Sequence, residues 1–166
     1  MKKSITLRYL PKKLSRKDKR KQFKELSKSR RLYKKGTYYT RRHVDTFVSK
    51  KSQHITRAEK MYHVDKITAN PELAKATGCS VIALKKIVSK GEGAYFSSGS
   101  RPNQTAQSWG NARLASAITS GKAAAIDYNI LEKGCRPGSK ALRLAKTARK
   151  KHGYGTRRVP KAVIDI

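Results

Sequence analysis

The residues able to do acid, base or nucleophilic chemistry are few and scattered. Ten carboxylates stand against 41 lysines and arginines in 166 residues. Asp65, Glu72, Glu92, Asp127 and Glu132 share no motif that would pair two of them for acid–base work. The histidines His43, His54, His63 and His152 lie at no metal-ligand spacing, and Cys79 and Cys135 complete no zinc set. No Gly-x-Ser-x-Gly elbow, His-Glu-x-x-His helix or dinucleotide fingerprint occurs. The sequence therefore predicts a protein that is not an enzyme, with no catalytic residues, no cofactor and no metal. Asp127, in an Ala-rich segment, is expected to be a buried acid paired with Arg113 for structure. The two cysteines fit a reducing compartment, while pairing stays open for a protein that ends in an oxidised particle.

Three stretches carry binding chemistry instead. Tyr38, Tyr39, Arg41, Arg42 and His43 interleave aromatics with arginine, a pattern that can stack on bases, lie over phosphates or anchor a loop on a neighbouring protein. Residues 91–105 form a Gly/Ser-rich stretch ending Arg101-Pro102-Asn103-Gln104-Thr105. It is read either as an anion cradle completed by Arg101 or as a structured turn whose side chains cap nearby helices. It lacks the Gly-Lys-Ser/Thr ending of a nucleotide-binding P-loop. The third stretch is Leu73-Ala74…Gly78-Cys79-Ser80…Leu84…Ile87, with the spacing of a helix-turn-helix. A plain helical corner needs the same small and apolar residues, and the second helix offers Lys85, Lys86 and Lys90 but no Arg, Asn or Gln for base edges.

Charge says more than any motif. The formal net charge is +31, and self-repulsion on that scale opposes a compact free protein. Residues 1–60 hold 22 basic and 4 acidic side chains, residues 61–135 hold 9 and 5, and residues 136–166 hold 10 and 1. A near-neutral middle thus lies between two basic flanks, and the chain is expected to live against an acidic partner. The expected organisation is a basic N-terminal arm and helix over 1–60, a helical core with its Gly/Ser-rich loop over 61–135, and a basic helix with an extended tail over 136–166. The opening decapeptide has no apolar leader core, and no stretch reaches membrane-spanning length.

The elements that must position these residues read as mainly α. We expect a small helical core of about five to six short helices with extended basic N- and C-terminal arms. Ile5, Leu7 and Tyr9 alternate before Pro11, as in an edge strand. Ser15 with Asp18 resembles a capping box and opens a helix over Arg16–Lys34, whose apolar stripe is Phe23, Leu26 and Tyr33. A further helix spans 53–64. Asn70-Pro71 opens a short helix closed by Gly78. A second helix spans Val81–Ser89 and closes near Gly91. Helices over Ala106–Thr119, Lys122–Leu131 and Lys140–Lys151 follow, the last basic and amphipathic. In Ala106–Thr119 the face of Trp109, Ala112, Ala115 and Ser116 suits close packing. The tail Arg157–Ile166, ending in Val159, Val163, Ile164 and Ile166, suits strand addition to a neighbour or a hydrophobic anchor on one. The side chains singled out for partner binding are Lys12, Arg16, Arg20, Lys24, Arg30, Arg31, Tyr38, Tyr39, Arg41, Arg42, Arg101, Arg143, Lys150, Arg157 and Arg158.

Two blocks are distinctive as text. One is Arg8-Tyr9-Leu10-Pro11…Ser29-Arg30-Arg31…Tyr33-Lys34-Lys35-Gly36…Tyr39…Arg41…Ser52…His54-Ile55. The other is Ser97-Ser98-Gly99-Ser100-Arg101-Pro102-Asn103-Gln104-Thr105…Ser108-Trp109-Gly110…Ala112-Arg113-Leu114-Ala115-Ser116-Ala117, continuing to Gly121-Lys122-Ala123 and Asp127-Tyr128. Together they resemble an uncharacterised family of small basic proteins of large algal and giant DNA viruses. The resemblance implies a setting, a virion assembled in a host cell, and no activity or functional residues. In that setting the expected role is a minor capsid protein that cements capsomers beneath the major shell through its basic arms. It would be present in many copies, with major and minor capsid proteins as partners and an internal membrane surface within reach. A genome-binding virion protein with viral DNA as partner is the alternative, and a ribosomal-type RNA-binding protein the third reading.

Overall fold

The computed structural model describes residues 1–156 and 159–165. The fold is mainly α, with eight α-helices and one two-stranded sheet among the described residues. The chain divides into two units.

The first unit gathers residues 1–50, 93–106 and 158–166. Strand β1 (Lys2–Thr6) pairs antiparallel with β2 (Lys161–Asp165), in register from Lys2 opposite Asp165 to Thr6 opposite Lys161. The tail expected to add to a neighbour thus finds its partner in its own N-terminus. The Leu7 amide extends the ladder by donating to the Pro160 carbonyl at 2.9 Å, and a 3-10 turn, Leu7–Tyr9, follows. Helix α1 (Arg16–Lys34) starts where expected, with the Ser15 hydroxyl accepting from the Asp18 amide. Its buried face is Asp18, Gln22, Leu26 and Ser29 rather than an apolar stripe. That polar face is tolerable because loops supply partners, as buried polar groups require: the Gln22 amide donates to the Tyr9 carbonyl at 3.3 Å. Gly99, at φ +144°, lies where an added Cβ would fall 2.9 Å from both Leu26 and Tyr9.

The second unit holds residues 51–92 and 107–157. Helix α2 (Gln53–Tyr62) is capped by Ser52. Helix α3 (Pro71–Thr77) opens on Asn70, whose side chain accepts from the Leu73 amide, and closes on left-handed Gly78. Helix α4 runs over Val81–Ser97 and continues into the first unit. The stop expected near Gly91 is therefore absent. Gly91 is instead a crossing point: a Cβ there would fall 2.6 Å from the Gly110 Cα. Gly110 lies in α5 (Ala106–Ala117), whose buried face includes Gly110, Leu114 and Ala117. Two glycines let the helix backbones approach, so the residue read as a terminator serves packing.

The helix expected over Lys122–Leu131 is two, α6 (Lys122–Ile126) and α7 (Tyr128–Gly134), broken at Asp127. Helix α8 (Lys140–His152) is capped by Ser139 and buries Ala141, Leu142, Ala145 and Ala148. The core of this unit joins Leu73, Leu84, Ile87, Leu114, Ile118 and Leu131, all fully buried, to the small residues of α6 and α8. Each such aliphatic side chain contributes roughly 1.5–3 kcal/mol by leaving water. The Tyr62 hydroxyl donates to the Ile118 carbonyl at 2.5 Å, and burial raises its pKa. Cys79 and Cys135 are disulfide-bonded and face each other in an isolated antiparallel bridge. No helix among the described residues is long and apolar enough to cross a membrane.

Candidate nucleic-acid interface

Helix α1 segregates its charge. Arg16, Lys17, Arg20, Lys24, Arg31 and Lys34 are exposed, and at 3.6 residues per turn they fall within an arc of about 100°. None of the six makes an ion pair with a described residue. The two acids of the helix project elsewhere. Asp18 is buried and accepts from the Thr46 amide at 2.8 Å and the Thr46 hydroxyl at 2.6 Å. These bonds, the hydroxyl's foremost, hold its carboxyl below the usual aspartate range. Glu25 accepts from the Tyr39 hydroxyl at 2.8 Å and the Arg42 amide at 2.9 Å. Burial, then the bond to Glu25, raises the Tyr39 pKa. Both carboxylates thus tie the 37–50 segment to α1, and the exposed arc is left with the six cations and Ser27 and with neither acid of the helix. Nineteen residues make the arc about 28 Å long.

An aromatic group adjoins the C-terminal end of this arc. Tyr38 is 72% exposed, with ring centroids 6.1 Å from Tyr33 and 5.1 Å from Phe96. Arg30, half-buried, donates from Nε to the Ser98 carbonyl at 2.6 Å. Lys12, Arg42 and Arg101 are exposed.

Arg41, singled out in the sequence as a surface contact, lies inside. It is 8% exposed, with its guanidinium 3.7 Å from the Tyr95 ring centroid. It donates to the Ser29 hydroxyl at 2.9 Å, the Tyr95 carbonyl at 2.6 Å and the Ser100 hydroxyl at 2.7 Å. Burial lowers its pKa. Neutral acceptors from α1, α4 and the Gly/Ser loop converge on it, so Arg41 is a clamp. Residues 91–97 of the loop are helical, and the Ser100 and Asn103 side chains bond internally, while Arg101 is exposed. Asn103, left-handed at φ +62°, accepts from the Val44 amide and donates to the Val44 and Phe47 carbonyls at 2.8–3.0 Å. The sequence signal for Asn103 was available: asparagine tolerates that conformation and mimics a backbone partner.

The second unit carries its own basic face. Lys140, Arg143, Lys146 and Lys150 of α8 are exposed opposite the buried alanines. Lys140 donates to the Met61 carbonyl at 3.1 Å. Arg157 and Arg158 lie outside the described residues. The expected internal ion pair is present: Arg113 donates from Nε and Nη2 to the two oxygens of Asp127, both at 2.8 Å, and Lys90 approaches to 3.3 Å. The Asp127 side chain is fully buried. Among the described residues no group of three His, Cys, Asp or Glu side chains could hold a metal ion.

Residues 7–136 match a family of unknown function (DUF5824), and the chain belongs to that family. No curated protein and no solved structure matches it.

Proposed function

We propose that the protein binds nucleic acid through its phosphate backbone, with the exposed arc of α1 as the principal contact. The observation that carries this reading is the segregation of charge on α1. Six cations stand on one face without ion pairs, while Asp18 and Glu25 are withdrawn into hydrogen bonds with the 37–50 segment. Phosphates neutralised by such a face release condensed counterions, which supplies affinity without sequence preference. The aromatic group of Tyr33, Tyr38 and Phe96 adds surface for an unstacked base. In the viral setting that the resemblance implies, the polyanion is the packaged genome. Titrating labelled DNA with the full chain over a range of salt concentrations tests the proposal. Affinity that falls steeply and linearly on a log–log plot is expected, and a salt-independent affinity refutes it.

A second reading, a minor capsid protein held among shell proteins, draws on exposed apolar groups. Val48 is 79% exposed, Tyr38 72% and Val163 67%. The segments it would extend to neighbours, Lys2–Thr6 and Lys161–Asp165, pair with each other. Cross-linking mass spectrometry of intact particles separates the two. Links from Lys12, Lys24 or Lys150 to shell proteins favour the capsid role, and recovery of their peptides in photo-cross-linked DNA favours genome binding.

A further inference from the structure

The corner formed by α3 and α4 has the residue spacing that a helix-turn-helix shares with a plain helical corner. Asn70 caps and Pro71 opens a first helix of seven residues, Gly78 closes it at φ +79°, and a three-residue turn ends at Ser80. The Ser80 hydroxyl then accepts from the Ala83 amide at 3.1 Å, and the second helix begins at Val81. Leu73 of the first helix and Leu84 and Ile87 of the second are fully buried. The turn itself is pinned by the disulfide from Cys79 to Cys135.

The face that this corner presents is what points to a partner. Ile82, Lys85, Lys86 and Ser89 are all exposed, and they lie within an arc of about 100°. The arc contains no acid, and neither Lys85 nor Lys86 makes an ion pair with a described residue. Ile82 is 69% exposed. A branched aliphatic held in water between lysines gains nothing for the free protein. From Ile82 to Ser89 the helix rises about 10 Å, comparable with the width of a B-form major groove, about 12 Å. In that groove a lysine recognises guanine O6 and N7, and an aliphatic group recognises the thymine methyl. The sequence objection that the helix lacks Arg, Asn and Gln is thereby met by a different pair of readers.

We propose that the exposed face of α4 enters the major groove of duplex DNA and reads guanine with Lys85 or Lys86 and a thymine methyl with Ile82. This site is separate from the α1 arc and adds sequence preference to it. Protein and A-form RNA are the competing occupants. The deep, narrow major groove of RNA excludes a helix.

Selection of the full-length protein on a randomised duplex pool, at salt high enough to suppress phosphate-only binding, tests the inference. A short enriched motif containing guanine and thymine is expected. Replacing that thymine by uracil then weakens binding about fourfold, the worth of one buried methyl group, and replacing that guanine by 7-deazaguanine weakens it by removing the N7 acceptor. The surface variant I82A/K85Q/K86Q is expected to bind DNA with an undiminished dependence on α1 but to enrich no motif. Enrichment of the same motif by that variant overturns the inference, as does competition by duplex RNA at equal strength. Steep salt dependence with no motif for the wild type overturns this inference alone, whereas absence of any DNA binding also removes the reading of α1.

Discussion

Replacing Arg16, Arg20, Lys24 and Arg31 by glutamine removes four of the six unpaired cations of the α1 arc. Each phosphate contact contributes about 0.9 to the slope of log affinity against log salt on duplex DNA. If all four side chains reach phosphates, the slope becomes shallower by about 3.6, whatever the other basic faces contribute. Raising salt from about 50 to about 200 mM then costs the variant about a hundredfold less affinity than it costs the wild type. The four positions are exposed and glutamine is a good helix former, so the substitutions leave burial and helix propensity nearly unchanged. Fluorescence anisotropy on a labelled duplex measures the slope, and circular dichroism checks the helix. A change in slope of less than about 1, with helicity retained, would refute the assignment of α1 as the phosphate-binding face.

Three further outcomes concern the scaffold. Gly91→Ala should destabilise by about 1–3 kcal/mol, because its Cβ would meet the Gly110 backbone. Gly93→Ala, in the same helix but with nothing within 4 Å of an added Cβ, should stabilise by about 0.5–1 kcal/mol. Urea unfolding of the two variants checks the pair, and equal effects would place the crossing elsewhere. Asp127→Asn should cost about 3 kcal/mol, since it leaves the largely buried Arg113 charge without its bidentate partner. A thermal midpoint unchanged from the wild type would contradict that role. Reduction of Cys79–Cys135, which spans 56 residues of sequence, should cost about 4 kcal/mol by restoring loop entropy to the unfolded chain. Guanidinium unfolding with and without reductant measures it, and coincident midpoints would count against the bond as a staple.

Local signals were legible where chemistry is local. Ser15 and Asn70-Pro71 start helices because each capping side chain can reach the amide three residues on. Gly78 ends one because it is left-handed. The Arg113–Asp127 pair was also legible, since a carboxylate in an Ala-rich stretch needs a cation. Gly91 was not, because a glycine that stops a helix and one that lets two helices touch both work by lacking Cβ, and only Gly110, 19 residues away, distinguishes them. Arg41 was misplaced for a similar reason. An arginine just after two tyrosines reads as a surface group unless Ser29, Tyr95 and Ser100 are known to converge on it. The break at Asp127, at φ −97° and ψ 19°, left no local signal in the Ala-rich stretch.

The same segregation that makes α1 a binding face makes it a cost to the free protein. Arg16 and Arg20, then Arg20 and Lys24, are like charges four residues apart, and each such pair costs about 0.2–0.5 kcal/mol. Relief of these pairs, and of repulsion from the rest of a chain of net charge +31, should make the four-glutamine variant more stable than the wild type by about 1 kcal/mol without ligand. DNA reverses the order. At about 100 times its dissociation constant, a ligand that binds only the folded state adds about 2.7 kcal/mol, which raises the melting temperature of a chain this size by about 5–10 °C. The variant, having lost four contacts, gains less at the same DNA concentration. The two melting temperatures should therefore cross as DNA is added at low salt and fail to cross at high salt. A variant less stable than the wild type both with and without DNA would mean that these arginines and lysines hold the fold together, and that α1 is scaffold rather than interface.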